Sequence, residues 1–525
     1  MADSSFRADR RRVLKWLAAA TAAPLVLRYG QALAGQDSPF VLGVASGDPW
    51  PDGFVIWTRL SSLPLYPGNQ ERLPLKVPVH WEVASDPLFR QVLRRGQTQA
   101  LRLLGHAVNV EVTGLQSGRP YWYRFIAQGE RSPVGRALTL PQPGQAVDSL
   151  RLAVASCANW ELGYFSAYRH LAAESPDLVL FLGDYIYEYT RDPASDAVVR
   201  SYIAPEAFDL DGYRYRYALH RSDPDLQQAH AAAPWIVTWD DHEVQDDYSA
   251  YWSKEPGVSQ QVFARRRAAA YQAFIENMPL RRPRRDAHGQ PLLYRRFQYG
   301  DLASLPVLDG RQYRSRQPCA DQSPFYGKGH VESASCADLF DPQRTMLGWE
   351  QERWLDRQLL DSDTRWNLIT QNLLVGTLRI PDASTGIDRY WTDNWDGYQA
   401  ARDRLLHSIE RSDARNPVVL SGDYHSFWAN ELRRTLDAPA VASELVATSI
   451  TSNGPNHDAI TALRGENPHI RFFDSRERGY LSIDLTRERL QADFRVISDR
   501  RDPGATLTTL ASHVIDSGSP QLIRL

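Results

Sequence analysis

Residues 177–187 read DLVLFLGDYIY, an apolar run that stops at Gly183-Asp184 and carries Tyr187 three residues on. A short β-prone run bounded by turn formers looks like a buried strand. Four more runs share the form. LRLAVASC (150–157) ends on Cys157, and WIVTWDDHE (235–243) on Asp241 and His242. WNLITQN (366–372) ends on Gln371 and Asn372, and NPVVLSGDYH (416–425) on Asp423 and His425. Layered α/β sheets collect ligands outside their strand ends, so the five tails can converge on one spot. Tails that carry Cys, Tyr, His and several Asp point to a metal centre.

Working outward, strands alternate with helix candidates at 163–174, 259–278, 344–361 and 396–412. In the third, Met346, Leu347, Trp354, Leu355, Leu359 and Leu360 fall near a helical period, which predicts an apolar face packed on a sheet. Residues 38–142 are strand-like instead. FVIWTRL (54–60) and VPVHWEVA (77–84) are rich in β-formers, and Tyr121, Tyr123 and Phe125 alternate with Trp122, Arg124 and Ile126. Leu115 precedes Tyr121 by six, with turn residues between them. This resembles the corner of fibronectin type III domains, where a tyrosine hydroxyl ties a loop across the sandwich. A small all-β domain is therefore expected at 38–142, followed by the linker-like PQPGQAVD (141–148).

The 525 residues are 43% hydrophobic and 23% charged, the balance of a soluble globular protein. Residues 1–34 hold six Arg/Lys against Asp3 and Asp9, so the net charge of −3 hides an acidic body of −7. Such a body argues against a nucleic-acid partner. Arg10-Arg11-Arg12, an apolar stretch from Trp16 to Leu27 and the small-residue site Ala32-Leu33-Ala34 read as an export signal. The order Arg10, Arg11, any residue, Val13, Leu14, Lys15 resembles the twin-arginine signal, which a translocation machinery reads. Residues 1–34 are thus expected to be removed, leaving a periplasmic or extracellular protein with no membrane span. An exported protein permits Cys319 to pair with Cys336, although sequence does not fix the Cα separation a bridge requires.

Individually the tails are ambiguous. Asp184 can bridge two cations or cap a helix. His242, among Asp240, Asp241 and Glu243, can ligate metal, donate a proton or satisfy buried acceptors. Cys157 is either an inert core residue or a thiolate ligand suited to ferric iron or zinc. The i, i+2 spacing of Asp423 and His425 puts both on one side of an extended segment.

Together, ASC (155–157), GDYIYEY (183–189), WDDHEVQDDY (239–248), NWDGY (394–398) and SGDYHSFW (421–428) resemble the PhoD family of alkaline phosphatases and phosphodiesterases. The upstream FVLGVASGDPWPDGFVIWTRL (40–60) and the export signal follow the same order. The wider relatives are metallophosphatases, including purple acid phosphatases. The resemblance implies an α/β catalytic domain at 150–500, a β-sandwich of two mixed sheets flanked by helices, with 501–525 as a C-terminal tail. It also implies that Asp184 bridges the metals, that Tyr187 and Cys157 hold ferric iron, and that Asp241, Asp423 and His425 are further ligands. By the same resemblance His242 takes the place of the catalytic histidine and Gln371 or Asn372 that of a further superfamily histidine; Asp240, Gln371 and Asn372 are candidates for further ligands or supports. Asp423 replaces a histidine of the superfamily, and the resulting oxygen-rich site suits calcium better than zinc. The implied activity is hydrolysis of phosphomonoesters or phosphodiesters by a metal-bound hydroxide. A phospholipase D-like phosphodiesterase is the alternative, and a non-catalytic cell-surface binding protein a distant one.

Overall fold

The computed structural model describes residues 38–322, 329–382, 384–412 and 414–525, so the expected signal at 1–34 lies outside the described residues. The five runs form strands in two sheets. Ser149–Ala155, Leu178–Phe181 and Trp235–Val237 pair in parallel within a ten-stranded sheet. Trp366–Thr370 and Pro417–Ser421 pair in parallel within a seven-stranded one. Each sheet also holds antiparallel pairs, such as Arg478–Thr486 on Ser149–Ala155 and Phe427–Leu432 on Ala442–Val446, so both are mixed. Leu152, Val154, Leu180 and Ile236 of the first sheet meet Leu305, Val307, Leu368, Val418 and Leu420 of the second in one buried core. Strands covered on both faces need apolar residues at every position, which is why they read as unbroken runs.

Helices cover the outer faces. Ser166–Glu174, Leu210–Arg221, Pro224–Ala232 and Gln260–Asn277 pack on the larger sheet. Trp349–Leu360 and Gln399–Arg411 pack on the smaller through Leu355, Leu359, Leu405 and Ile409. All four expected helices are present, each slightly shortened. Leu210–Arg221 was not legible, because Tyr213-Arg214-Tyr215-Arg216-Tyr217 alternates like a strand. Its tyrosines and arginines are both buried, so no helical period shows. Asp209 starts the helix by accepting from Gly212 N at 2.8 Å.

Upstream, Lys76–Ala84, Val92–Leu101, Pro120–Ala127, Glu130–Arg131 and Gly135–Leu138 form a separate sheet. It faces Val44–Trp50, Gly53–Arg59 and Ala107–Val112 across a core that includes Phe54, Ile56, Val79, Val83, Tyr123 and Phe125. Those three strands also belong to the ten-stranded sheet, where Gly47 pairs in parallel with Trp235. The all-β unit is thus a sandwich that shares a sheet with the larger domain. Val147 in the linker-like segment donates to Asp301 Oδ1 at 3.1 Å. The Tyr121 hydroxyl donates to Gln116 O at 3.0 Å and accepts from Gln116 N at 2.9 Å.

The segment 501–525 is not a tail, which corrects that expectation. Leu507–Asp516 pairs with Arg489–Ile497 and carries Ile523–Arg524 on its other edge. Burial of Ala511, Val514 and Ile515 fixes it there. Cys319 and Cys336 form a disulfide with Cα atoms 6.0 Å apart. No helix among the described residues is long and apolar enough to cross a membrane. Replacing Tyr121 by Phe removes the hydroxyl that ties the corner. It is expected to lower stability in urea unfolding by about 1 kcal/mol, and an unchanged midpoint would show that the corner contributes nothing.

Candidate metal centre

The strand ends meet at one edge of the two sheets. Beyond the first two strands the pairing continues, with Cys157 N donating to Gly183 O at 3.1 Å and Ala158 N to Asp184 O at 2.9 Å. Cys157, Asp184, Asp423 and His425 all have left-handed backbone, with φ of 60°, 56°, 60° and 52°. Each such residue costs on the order of 1–3 kcal/mol and persists only where its surroundings over-determine it. Part of that restraint is Gly183, at φ 101°, where an added Cβ would stand 2.4 Å from Asp240 Cβ. Another part is Glu243. Its carboxylate accepts from Asp184 N at 3.0 Å, Asp240 N at 2.7 Å and Tyr185 N at 2.6 Å, which staples two strand endings together. No helix follows Asp184, so the capping alternative falls away.

Ligand atoms of Cys157, Asp184 and His425 lie within 4.8 Å of one another. The Tyr187 hydroxyl is 3.0 Å from Asp184 Oδ2, 3.3 Å from His425 Nε2 and 2.6 Å from Ser452 Oγ. His425 Nδ1 bonds Asn453 O at 2.8 Å, which puts the ring proton there and leaves Nε2 with its lone pair toward Asp184 and Tyr187. Although a quarter of this side chain is accessible, burial of the ring and then the Arg478 charge push its pKa down to about 3. Burial, reinforced by Asp184 and Asp423, pushes the Cys157 thiol well up. Ionising it calls for a cation at hand.

A second group, Asp184, Asp240, Asp241 and Asp423, also falls within 4.8 Å, as do Asp184, Asp241 and His242. Asp184 belongs to each of these three groups and joins the Cys157 group to the acidic ones, as a bridging ligand would; Asp241 belongs to the last two and also groups with Asp246 and Asp247. Burial, then neighbouring carboxylates, hold Asp184 and Asp423 well above the usual carboxylate range. Burial acts the same way on Asp241, but Arg311 and His242 outweigh it and hold that group low. Oδ2 of Asp240 and Oδ1 of Asn372 are buried with no hydrogen-bond partner. A buried oxygen left without a partner costs about 1–3 kcal/mol, and a cation among these oxygens would remove that cost. Sulfur, imidazole nitrogen and phenol oxygen suit ferric iron or zinc, whereas an all-oxygen set suits calcium. The residues present fit a two-metal centre joined at Asp184.

His242 stands beside both groups. Its Nδ1 lies 2.8 Å from Glu188 Oε2, and Glu188 Oε1 accepts from Asp246 N at 2.7 Å. The ring packs on Tyr187 with centroids 4.1 Å apart, and Nε2 is 3.7 Å from Asp246 Oδ1. Burial works against its charge, but Asp241, Asp184 and Glu188 prevail and push the pKa well up.

Two expectations need correcting. Gln371 turns away from the metal groups: Nε2 donates to Ser421 Oγ at 2.6 Å and to Leu373 O, and Oε1 accepts from Trp395 Nε1 at 3.2 Å. Neighbours at a strand end face opposite ways, so only Asn372 reaches Asp240. Asp423 and His425 do not share one side of an extended segment either. Both are left-handed, and they join different ligand groups.

Sequence reasoning missed Glu188, Glu243, Asp393 and Arg311 as parts of the site. Arg311 follows a sixth converging strand, Ala303–Val307, which is parallel to Trp366–Thr370. Its LPVLDGR has the run-then-glycine form but ends on a base, which does not look metal-seeking. A Cβ on Gly310 would lie 2.6 Å from Asn372 Oδ1. The NWDGY segment shapes the turn that delivers Asp393: Asn394 Oδ1 accepts from Asp396 N at 3.0 Å, and Asp396 Oδ2 from Leu378 N at 2.9 Å.

Known proteins resemble this chain in sequence and fold. The family model for the PhoD-like phosphatases matches residues 152–494, and that for their N-terminal domain matches 27–141. Alkaline phosphatase D of Bacillus subtilis (strain 168) is 43% identical over 484 residues, spanning 91% of this chain and 80% of that protein. The solved structure of PhoD superposes with a TM-score of 0.86 at 42% identity, covering 93% of this chain and 92% of the other.

Glu243→Gln keeps the shape but offers a single carbonyl acceptor to three amides. It is expected to weaken metal retention by about 10–100-fold, as loss of a group that supports ligands commonly does. Metal content after dialysis checks this, and wild-type retention would show that Glu243 does not position the turns.

Proposed function

The chain belongs to the PhoD-like phosphatase family of metal-dependent phosphoester hydrolases, and from that premise we propose how its residues carry the reaction. Cys157, Asp184, Tyr187 and His425 would hold ferric iron. Asp184, Asp241 and Asp423 would hold calcium, with Asp240 and Asn372 beside it. The observation that carries this reading is the shared place of Asp184 in a sulfur- and nitrogen-bearing group and in an all-oxygen group. When bound, such metals lower the pKa of water and neutralise charge on the phosphoryl oxygens.

The chain's own groups do the rest. Asp423, His425 and Asp246 keep 20%, 25% and 20% of their side chains accessible, so a phosphoester approaches from that side. Glu188 fixes the His242 ring through Nδ1, which directs Nε2–H to the leaving oxygen. His242 donates that proton as the alcohol departs. Tyr189 packs on His242 with ring centroids 5.3 Å apart. Export is supported by the Arg10-Arg11 pattern and by the Cys319–Cys336 disulfide, which suits an oxidising compartment. Phosphomonoesters and phosphodiesters are both within this chemistry, and rates on nitrophenyl phosphate and bis-nitrophenyl phosphate rank them.

Elemental analysis of natively exported protein tests the metal assignment. Iron with visible charge-transfer colour is expected, together with calcium; a colourless enzyme with stoichiometric zinc overturns the iron assignment and leaves the hydrolase. Asp184→Asn is expected to lose both metals and all activity. His242→Asn is expected to keep metals and colour while turnover drops about 10²–10⁴-fold, the usual worth of a general acid. Loss of iron from that variant would make His242 a ligand instead.

A further inference from the structure

We propose that Arg311 is the positioning residue of the oxygen-ligated half of the centre, a fixed fork that presets the divalent-cation ligands without acting on the iron ligands. This rests on the two-metal reading above. The Arg311 side chain has no solvent exposure. Its Nε donates to Asp240 Oδ1, Nη1 to Asp393 Oδ2 at 2.6 Å and Nη2 to Asp423 Oδ1 at 3.2 Å. Asp241 Oδ1 is 3.8 Å from Nη2.

These carboxylates come from separate parts of the chain. Asp240 and Asp241 follow Trp235–Val237 in the larger sheet, and Asp423 follows Pro417–Ser421 in the smaller. Asp393 precedes the turn at Trp395–Tyr398. One guanidinium therefore sets the spacing between the acid-bearing ends of both sheets. A planar fork does this through direction as well as charge, which a lysine ammonium cannot match.

The fork is itself held at both ends. Asp393 belongs to none of the ligand groups, yet it accepts from Arg314 Nη2 at 2.6 Å and from Gln317 Nε2 at 3.2 Å, and its carbonyl accepts from Arg314 Nη1 at 2.8 Å. It is an anchor for Arg311 rather than a metal ligand. At the backbone end, Asp309 Oδ1 accepts from Arg311 N at 3.1 Å and Gln312 N at 2.9 Å, which ties the turn to Ala303–Val307. Every hydrogen bond of the guanidinium goes to the acidic side of the centre, and Cys157, Tyr187 and His425 take none.

The two halves should therefore separate on mutation. The test compares full-length wild type with Arg311→Lys, Arg311→Met and Asp393→Asn. Each protein is dialysed against graded calcium buffers, then read for calcium and iron content, visible colour and thermal unfolding. Where elemental analysis of the wild type finds another divalent ion beside the iron, that ion replaces calcium in the series. All three variants are expected to retain the divalent ion about 10–100-fold more weakly, with iron and colour unchanged. Positioning predicts that Lys does not rescue. Full rescue by Lys, or unchanged or tighter calcium binding in Arg311→Met, overturns the proposal, because Arg311 would then be only a neutralising charge or a competitor for the cation. Equal loss of both metals from folded variants also overturns it. If Arg311→Met fails to fold, Arg311→Lys and Asp393→Asn carry the test, since both keep a polar group in place. A wild type without iron defeats the metal assignment under the proposed function, and the divalent-ion comparison still judges Arg311.

Discussion

Negative charge packed around Asp184, where two sheets end, is the constraint the rest of the molecule serves. Asp184, Asp240, Asp241 and Asp423 come within one ligand sphere while three of them are almost wholly buried. Buried like charges repel and lose hydration, so such a group persists only if cations and hydrogen bonds balance it. The left-handed turns at Cys157, Asp184, Asp423 and His425 add local cost. The large core between the sheets and the helices outside them supply the rigidity that holds these turns in place.

A layer of groups outside these carboxylate and His/Cys clusters orders this charge. Glu243 gathers amides from two strand ends, and Glu188 orients His242 while reaching the backbone of Asp246. Arg311 and Arg314 hold Asp393, and Arg311 extends to Asp240 and Asp423. The surroundings drive similar side chains apart: Asp184 and Asp423 are held toward protonation, Asp241 toward ionisation, His242 toward its charged form and His425 toward its neutral one. That division suits a site in which one imidazole offers a lone pair and the other a proton.

The N-terminal sandwich belongs to the same mechanical unit. Three of its strands extend the ten-stranded sheet, and Gly47 pairs beside Trp235, on the strand that leads to Asp240 and His242. At the other end of the chain, Leu507–Asp516 extends the same sheet beyond Arg489–Ile497. Both additions widen the platform behind the site and leave the metal-facing edge to the loops.

Sequence alone determined the strands that carry the ligands, because burial on both faces demands apolar runs and their tails stand out against them. It singled out Cys157, Asp184, Tyr187, Asp241 and His242 as candidates for one site, and the fold brings them together; Tyr121 marked a sandwich corner. Tertiary structure alone decided the rest. Gln371 and Asn372 are adjacent, but the pleat sends one into the fold and the other toward Asp240. Asp423 and His425 separate because both turns are left-handed, a conformation that residue identity does not announce. Arg311 and Asp393 lie 82 apart in the chain, and only folding makes them partners. Local pattern records burial and periodicity; which carboxylate meets which cation depends on contacts between distant segments, and no single segment encodes those.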